Sequence, residues 1–195
     1  MKFIKTKIKG VYLISLEKKE DERGFLARTW DVEQFRKNGV DFNILEGYIT
    51  RSIKKGTIRG FHYLKVAEQK LTRVTKGSIY EVVIDINPKS QTYKKWVAFA
   101  LKDTDYKMLY TGPNIAHAIL TLEDNTELMS FYSPEYIPGN EGGIRYNDKA
   151  FNIKWPIKVK HVSKKDLSWE DFPTTRKASR GKSPLRQRRG GASKL

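Results

Sequence analysis

Three histidines, His62, His117 and His161, are the side chains of this sequence that change charge near neutral pH. There is no cysteine, which removes disulfides, thiolate nucleophiles and zinc–thiolate centres. His62 lies in Ile58-Arg59-Gly60-Phe61-His62-Tyr63-Leu64. Read as a strand, this run puts His62 on the face of Ile58 and Leu64, the face expected to look inward, and Arg59 on the other face. An imidazole among apolar groups can serve as a base, although an inward histidine is more often a hydrogen-bonded core residue. Lys70 follows shortly afterwards. A lysine facing a closed interior has to meet an anion, and it can stabilise an oxyanion formed beside His62; the plainer reading is a surface lysine at a strand end. Asp166, in Ser163-Lys164-Lys165-Asp166, can return to orient the histidine, as acidic partners do in catalytic dyads. His62, Glu68 and His117 would be too sparse a metal set, because Leu64 stands where a second histidine is wanted. No metal and no cofactor is assigned.

Short runs rich in β-branched and aromatic residues must position these groups. Val11 to Leu16, Gly24 to Trp30, Ile44 to Thr50, Thr57 to Leu64 and Lys70 to Thr75 read as strands. So do Ser78 to Ile86, Trp96 to Leu101, Lys107 to Tyr110, Ala116 to Leu122 and Glu127 to Tyr132. In the run ending at Ile86, Glu81 and Asp85 oppose Tyr80, Val82 and Ile84, which predicts a face turned to water. One helix is expected, capped by Asp31, with Gln34 completing a capping box and Gly39 ending it. Many short strands with one or two short helices predict an all-β, antiparallel barrel or jelly roll.

The 195 residues suffice for one domain, expected over residues 1–172. No apolar run is long enough to span a bilayer, and the amino terminus lacks a signal-peptide core. A cytoplasmic protein without membrane contact is expected. Eight of the sixteen net positive charges fall in residues 173–195, which hold no acidic residue and few large apolar ones. That composition predicts a disordered tail. Polyanion binding by this tail is a weaker alternative to its being a plain solvated end.

Taken in order, several motifs resemble the dTDP-4-dehydrorhamnose 3,5-epimerase family from about Phe3 to Pro173. They are Asp21-Glu22-Arg23-Gly24-Phe25, Gly56 to Tyr63, Gln69-Lys70-Leu71, Ser90 to Trp96, and Pro113 to His117. Tyr136-Ile137-Pro138 with Glu141, Asn147-Asp148, Trp155-Pro156 and Ser163 to Asp166 follow. The resemblance implies a metal-free, homodimeric cupin-type jelly roll. It would act on a dTDP-linked 4-keto-6-deoxy sugar, inverting C3, C5 or both, in deoxysugar and cell-surface polysaccharide biosynthesis. It also implies His62 as base, Asp166 as its partner and Lys70 as enolate stabiliser. Arg23 and Arg59 would bind the diphosphate, Tyr136 would pack near the nucleotide, and His117 and Glu141 would line the substrate pocket.

The departure that matters most is at position 130. The family's acid tyrosine falls on Ser130, a weaker and shorter acid. Tyr132, on the same face of its strand, is the candidate replacement. Leu64, Ile49, Arg51, Ile53, Arg28, Ile115 and Ala118 also depart from family types, which suggests altered sugar recognition. The competing reading is a pocket that binds a sugar nucleotide or saccharide without turnover.

Overall fold

The computed structural model describes residues 1–133, 135 and 137–173. The strands are β1 (Lys2–Lys5), β2 (Val11–Ser15), β3 (Lys18–Asp21), β4 (Gly24–Ala27), β5 (Glu46–Ser52), β6 (Ile58–Leu64) and β7 (Gln69–Lys76). They continue as β8 (Ser78–Asp85), β9 (Trp96–Lys102), β10 (Lys107–Thr111), β11 (Ile115–Thr121), β12 (Thr126–Ser133) and β13 (Glu141–Gly143). Two short α-helices, α1 (Val32–Lys37) and α2 (Lys164–Leu167), and a 3-10 turn at Asp103–Asp105 complete the described elements. Every strand pairing is antiparallel. One sheet runs β1-β2-β10-β7-β12-β5, the other runs β13-β6-β11-β8-β9, and β3-β4 form a separate hairpin. This is the expected antiparallel jelly roll. Among the described residues no helix is long and apolar enough to cross a membrane.

Alternation in the strands supplies two apolar faces per sheet. Between the sheets, Val11, Val74, Ile79, Val83, Leu109, Ile119 and Leu128 belong to one core. Outside the larger sheet, α1 packs Phe35 on Ile14, Leu71, Met108 and Tyr110. Phe35 is fully buried, and a side chain of this kind contributes about 1.5–3 kcal/mol. Asp31 caps α1 by accepting from Gln34 N–H at 3.1 Å. The reciprocal half of the expected capping box is not among the described bonds. Instead the Gln34 side chain accepts from the Met1 ammonium. The expected stop at Gly39 falls one residue past the Asn38 cap, with Gly39 at φ +78°.

Outside the smaller sheet, the segment after β13 lays Phe151, Trp155, Ile157 and Val159 over Ile58, Phe61, Val82 and Ala118. This cover corrects the expected wet face of β8. Both faces are buried: Tyr80, Val82 and Ile84 meet the cover, while Glu81, beside Lys70, and Asp85, accepting from Asn87 N–H and the Thr92 hydroxyl, are 0% and 3% exposed.

The second correction concerns β6. His62 pairs with His117, but Arg59 pairs with Ile119 and Ile58 with Leu120. Two steps on β11 therefore span three on β6, so β6 carries one extra residue. Gly60 sits in this bulge at φ +116°, and a Cβ there would come within 2.5 Å of the His117 carbonyl oxygen. The bulge swings Arg59 onto the face of His62 and sends Ile58 to the covered outer face. Simple alternation assigned both the other way.

Candidate active site

The barrel interior opens into two adjoining cavities of about 540 and 440 Å³, and His62, His117 and Tyr132 line both. The larger also takes Arg59, Lys70, Ser130 and Asp166. The smaller takes Tyr48, Leu64, Glu68 and Glu141.

His62 comes from the regular end of β6, where its partners are His117 on β11 and Gly143 on β13. Its ring meets that of His117 edge-on at 6.5 Å. Asp166 arrives from the far end of the described chain. Residues near His161 run beside β6, with Thr57 and His161 forming a parallel bridge and Ile58 N–H donating to the His161 carbonyl at 2.9 Å. Ser163 then caps α2 by accepting from Asp166 N–H at 3.0 Å. That turn sets Asp166 Oδ1 2.6 Å from His62 Nε2. Burial opposes ionisation of Asp166, yet the His62 ring, Gly60 N–H and Ser163 hold its carboxyl below the ordinary value. With Asp166 ionised, Nε2 carries the hydrogen and Nδ1 is left as the basic nitrogen.

Lys70 is 3% exposed, and its Nζ lies 4.0 Å from Glu81 Oε1. Burial works against its charge, but the Tyr132 phenol and the Glu81 and Glu68 carboxylates together raise its pKa above that of an ordinary lysine. Glu81 is fully buried, and neither of its carboxylate oxygens accepts a hydrogen bond from the described residues. Burial raises its pKa more than Lys70 lowers it. Glu68 accepts from Leu64 N–H at 3.1 Å, and its pKa is likewise raised by burial. His117 is driven well below the usual imidazole value by burial and by the charges of Lys70 and His62. It is therefore a neutral pocket wall. No group of three or more His, Asp and Glu side chains among the described residues is placed to hold a metal ion.

Ser130 is buried, with its hydroxyl 3.3 Å from that of Thr72. Two phenols flank it. Tyr132 is two residues along β12, opposite Lys70, whose Nζ is 5.6 Å from the ring centre. Tyr48 is the cross-strand partner of Ser130 on β5, edge-on to Tyr132 at 5.5 Å and bonded through its hydroxyl to Glu46.

The structure thus brings His62, Lys70, Asp166, Tyr132, Arg59 and His117 together. Glu141 lines the smaller cavity and pairs with Lys165. Arg23 is not brought in: it sits at the exposed β3–β4 turn, paired with Asp21 at 2.6 Å. Tyr136 and residues 174–195 lie outside the described residues. Ile49 and Ile53 face outward, at 67% and 64% exposure, so their departures do not reshape this cavity. Sequence reasoning passed over Tyr48. Its signal is the alternating series Glu46, Tyr48, Thr50 and Ser52, which faces away from Ile49, Arg51 and Ile53.

A family profile described as dTDP-4-dehydrorhamnose 3,5-epimerase matches residues 5–174. The dTDP-4-dehydrorhamnose 3,5-epimerase of Methanothermobacter thermautotrophicus is 31% identical over 177 residues, covering 87% of this chain and 93% of the relative. The crystal structure of the enzyme of that name from Bacillus anthracis, with TDP and PPi bound, superposes with a TM-score of 0.84 at 29% identity, over 88% of this chain and 99% of that one. A 3,5-epimerase from Legionella pneumophila in complex with dTDP-4-keto-L-rhamnose gives a TM-score of 0.81 at 26% identity, over 87% of this chain and 92% of that one.

Proposed function

The chain belongs to the dTDP-4-dehydrorhamnose 3,5-epimerase family, and from that premise we propose that it epimerises a dTDP-linked 4-keto-6-deoxy sugar. The observation that carries the reading is the His62–Asp166 pair at 2.6 Å on the wall of a cavity that also holds a charged lysine. A ketone at C4 acidifies the hydrogens on C3 and C5. His62 removes one of them through Nδ1, Asp166 steadies the imidazolium, and the Lys70 ammonium balances the charge on the enolate oxygen. A phenol on the opposite face returns a proton to the same carbon, inverting it. With Ser130 in the family's acid position, Tyr132 takes that part. The steps move protons only, so the scheme calls for no cofactor. Retained base, partner and lysine favour turnover over mere binding.

Arg59, brought inward by the β6 bulge, is assigned to the diphosphate, with Arg23 supplied by a second copy. A homodimer accounts for Arg23 lying outside its own cavity and for the exposure of the apolar residues Leu26, Ile49 and Ile53. Tyr136 is assigned to the nucleotide. Residues 1–172 form the catalytic domain, residues 173–195 are a tail without a catalytic part, and the cytoplasm is the compartment.

The test is deuterium wash-in. The protein is incubated with dTDP-4-keto-6-deoxyglucose in heavy water, and C3 and C5 are followed by NMR. Exchange at either carbon that disappears in His62→Ala supports the reading. Binding of dTDP without any exchange overturns it in favour of a pocket that only binds.

A further inference from the structure

Trp169 follows α2 by two residues and is bonded to the catalytic pair. Its indole Nε1 donates to Asp166 Oδ1 at 3.4 Å, the same oxygen that meets His62 Nε2. The other oxygen, Oδ2, accepts from Gly60 N–H at 3.4 Å. The indole lies where Gly143 has no side chain, since a Cβ on Gly143 would fall 2.1 Å from Trp169 Cε2. Gly143 is the cross-strand partner of His62 on β13. The sheet position beside the base is thus left empty of side chain, and the indole fills it. Lys165 closes the third side, with its Nζ 5.9 Å from the indole ring and bonded to Glu141 on the same strand.

We propose that Trp169 is a positioning residue for His62, acting through Asp166. The indole N–H fixes the rotation of the carboxylate, so that Oδ1 stays aimed at the imidazole while the cavity is open to solvent. A carboxylate held by one donor per oxygen swings more freely, and small losses of alignment are costly in proton transfer. The consequence for turnover rests on the epimerase reading; the consequence for the His62–Asp166 hydrogen bond does not.

Trp169→Phe keeps an aromatic ring in the slot and removes only the N–H. The downfield imidazole N–H resonance of His62 is identified by its loss in His62→Ala. In Trp169→Phe it is expected to move upfield and exchange faster with water. The kcat for epimerisation is expected to fall about tenfold with KM within about twofold, since hydrogen bonds to charged groups carry effects of this order. Gly143→Ala, which displaces the indole without altering it, should reproduce both changes and serves where Trp169→Phe folds poorly. An imidazole signal unchanged in both variants overturns the proposal, whatever the protein's activity. A changed signal in a protein without epimerase activity keeps the positioning role and discards the reaction.

Discussion

His62 Nε2 and Asp166 Oδ1 are 2.6 Å apart although 104 residues separate them in the chain. Asp166→Asn keeps the shape of the pair and removes its charge. The amide no longer favours the tautomer with hydrogen on Nε2, nor does it stabilise the imidazolium. Initial deuterium wash-in should fall about 10²–10⁴-fold, the usual range for a general base that loses its function. A rate within twofold of wild type would show that Asp166 has no part in the base.

Ser130 and Tyr132 separate abstraction from inversion. If Tyr132 is the acid, Tyr132→Phe leaves exchange measurable but lowers inversion by about 10²-fold or more. Ser130→Tyr on that background restores inversion, since the cavity of about 540 Å³ beside Ser130 has room for a ring. Stereochemistry at C3 and C5, read by NMR, decides the matter. Full inversion by Tyr132→Phe alone would point to Tyr48, the other phenol beside Ser130.

Lys70 and Glu81 should show strong coupling. Lys70→Met leaves Glu81 fully buried with neither a cation nor a hydrogen bond, and the loss of one member of a buried pair costs about 3–5 kcal/mol. Adding Glu81→Gln should recover most of that stability without recovering activity. The pH dependence has a definite sign. A carboxyl whose folded pKa is raised keeps its full contribution in acid and loses it as pH rises through the folded value. Urea unfolding of Lys70→Met at pH 5 and pH 8 should therefore find it weaker at pH 8. Additive single and double variants would mean that the pair is not coupled.

His117 runs the other way. Its folded pKa is well below that of a free imidazole, so the unfolded chain takes up a proton first as pH falls through about 6.5. The native state loses about 1.4 kcal/mol per pH unit in that window. Buried Glu68 and Glu81, whose folded pKa values are raised, act in the opposite direction, so the comparison to make is wild type against His117→Gln. The stability difference between the two should shrink from pH 7 to pH 5.5. A constant difference would mean that His117 titrates alike in the folded and unfolded chains.

Much of the barrel was legible because its strands are short and their alternation is regular. Each of the ten expected strand windows overlaps an observed strand. Three strands were not read. The windows missed β1 and β3, whose exposed lysines carry little apolar signal, and β13, where two glycines give no side-chain pattern. Alternation also failed wherever it depended on something outside the strand. The bulge at Gly60 reversed the faces of Ile58 and Arg59, and the glycine itself was the one local hint. Glu81 was read as wet because nothing near it in the chain announces Lys70 on the facing sheet. Trp169 could be recognised only once Gly143 was known to lie beside His62.

The order in which the pair is made has a consequence for synthesis on the ribosome. His62 is translated early and Asp166 only after every strand of both sheets has been made. A nascent chain can close its barrel before it owns a working base. Chain termination between Val162 and Asp166 would leave every strand and the cover over the smaller sheet in place, but His62 without its acidic partner. The acidic half of the pair is set in place by the last of the described helices.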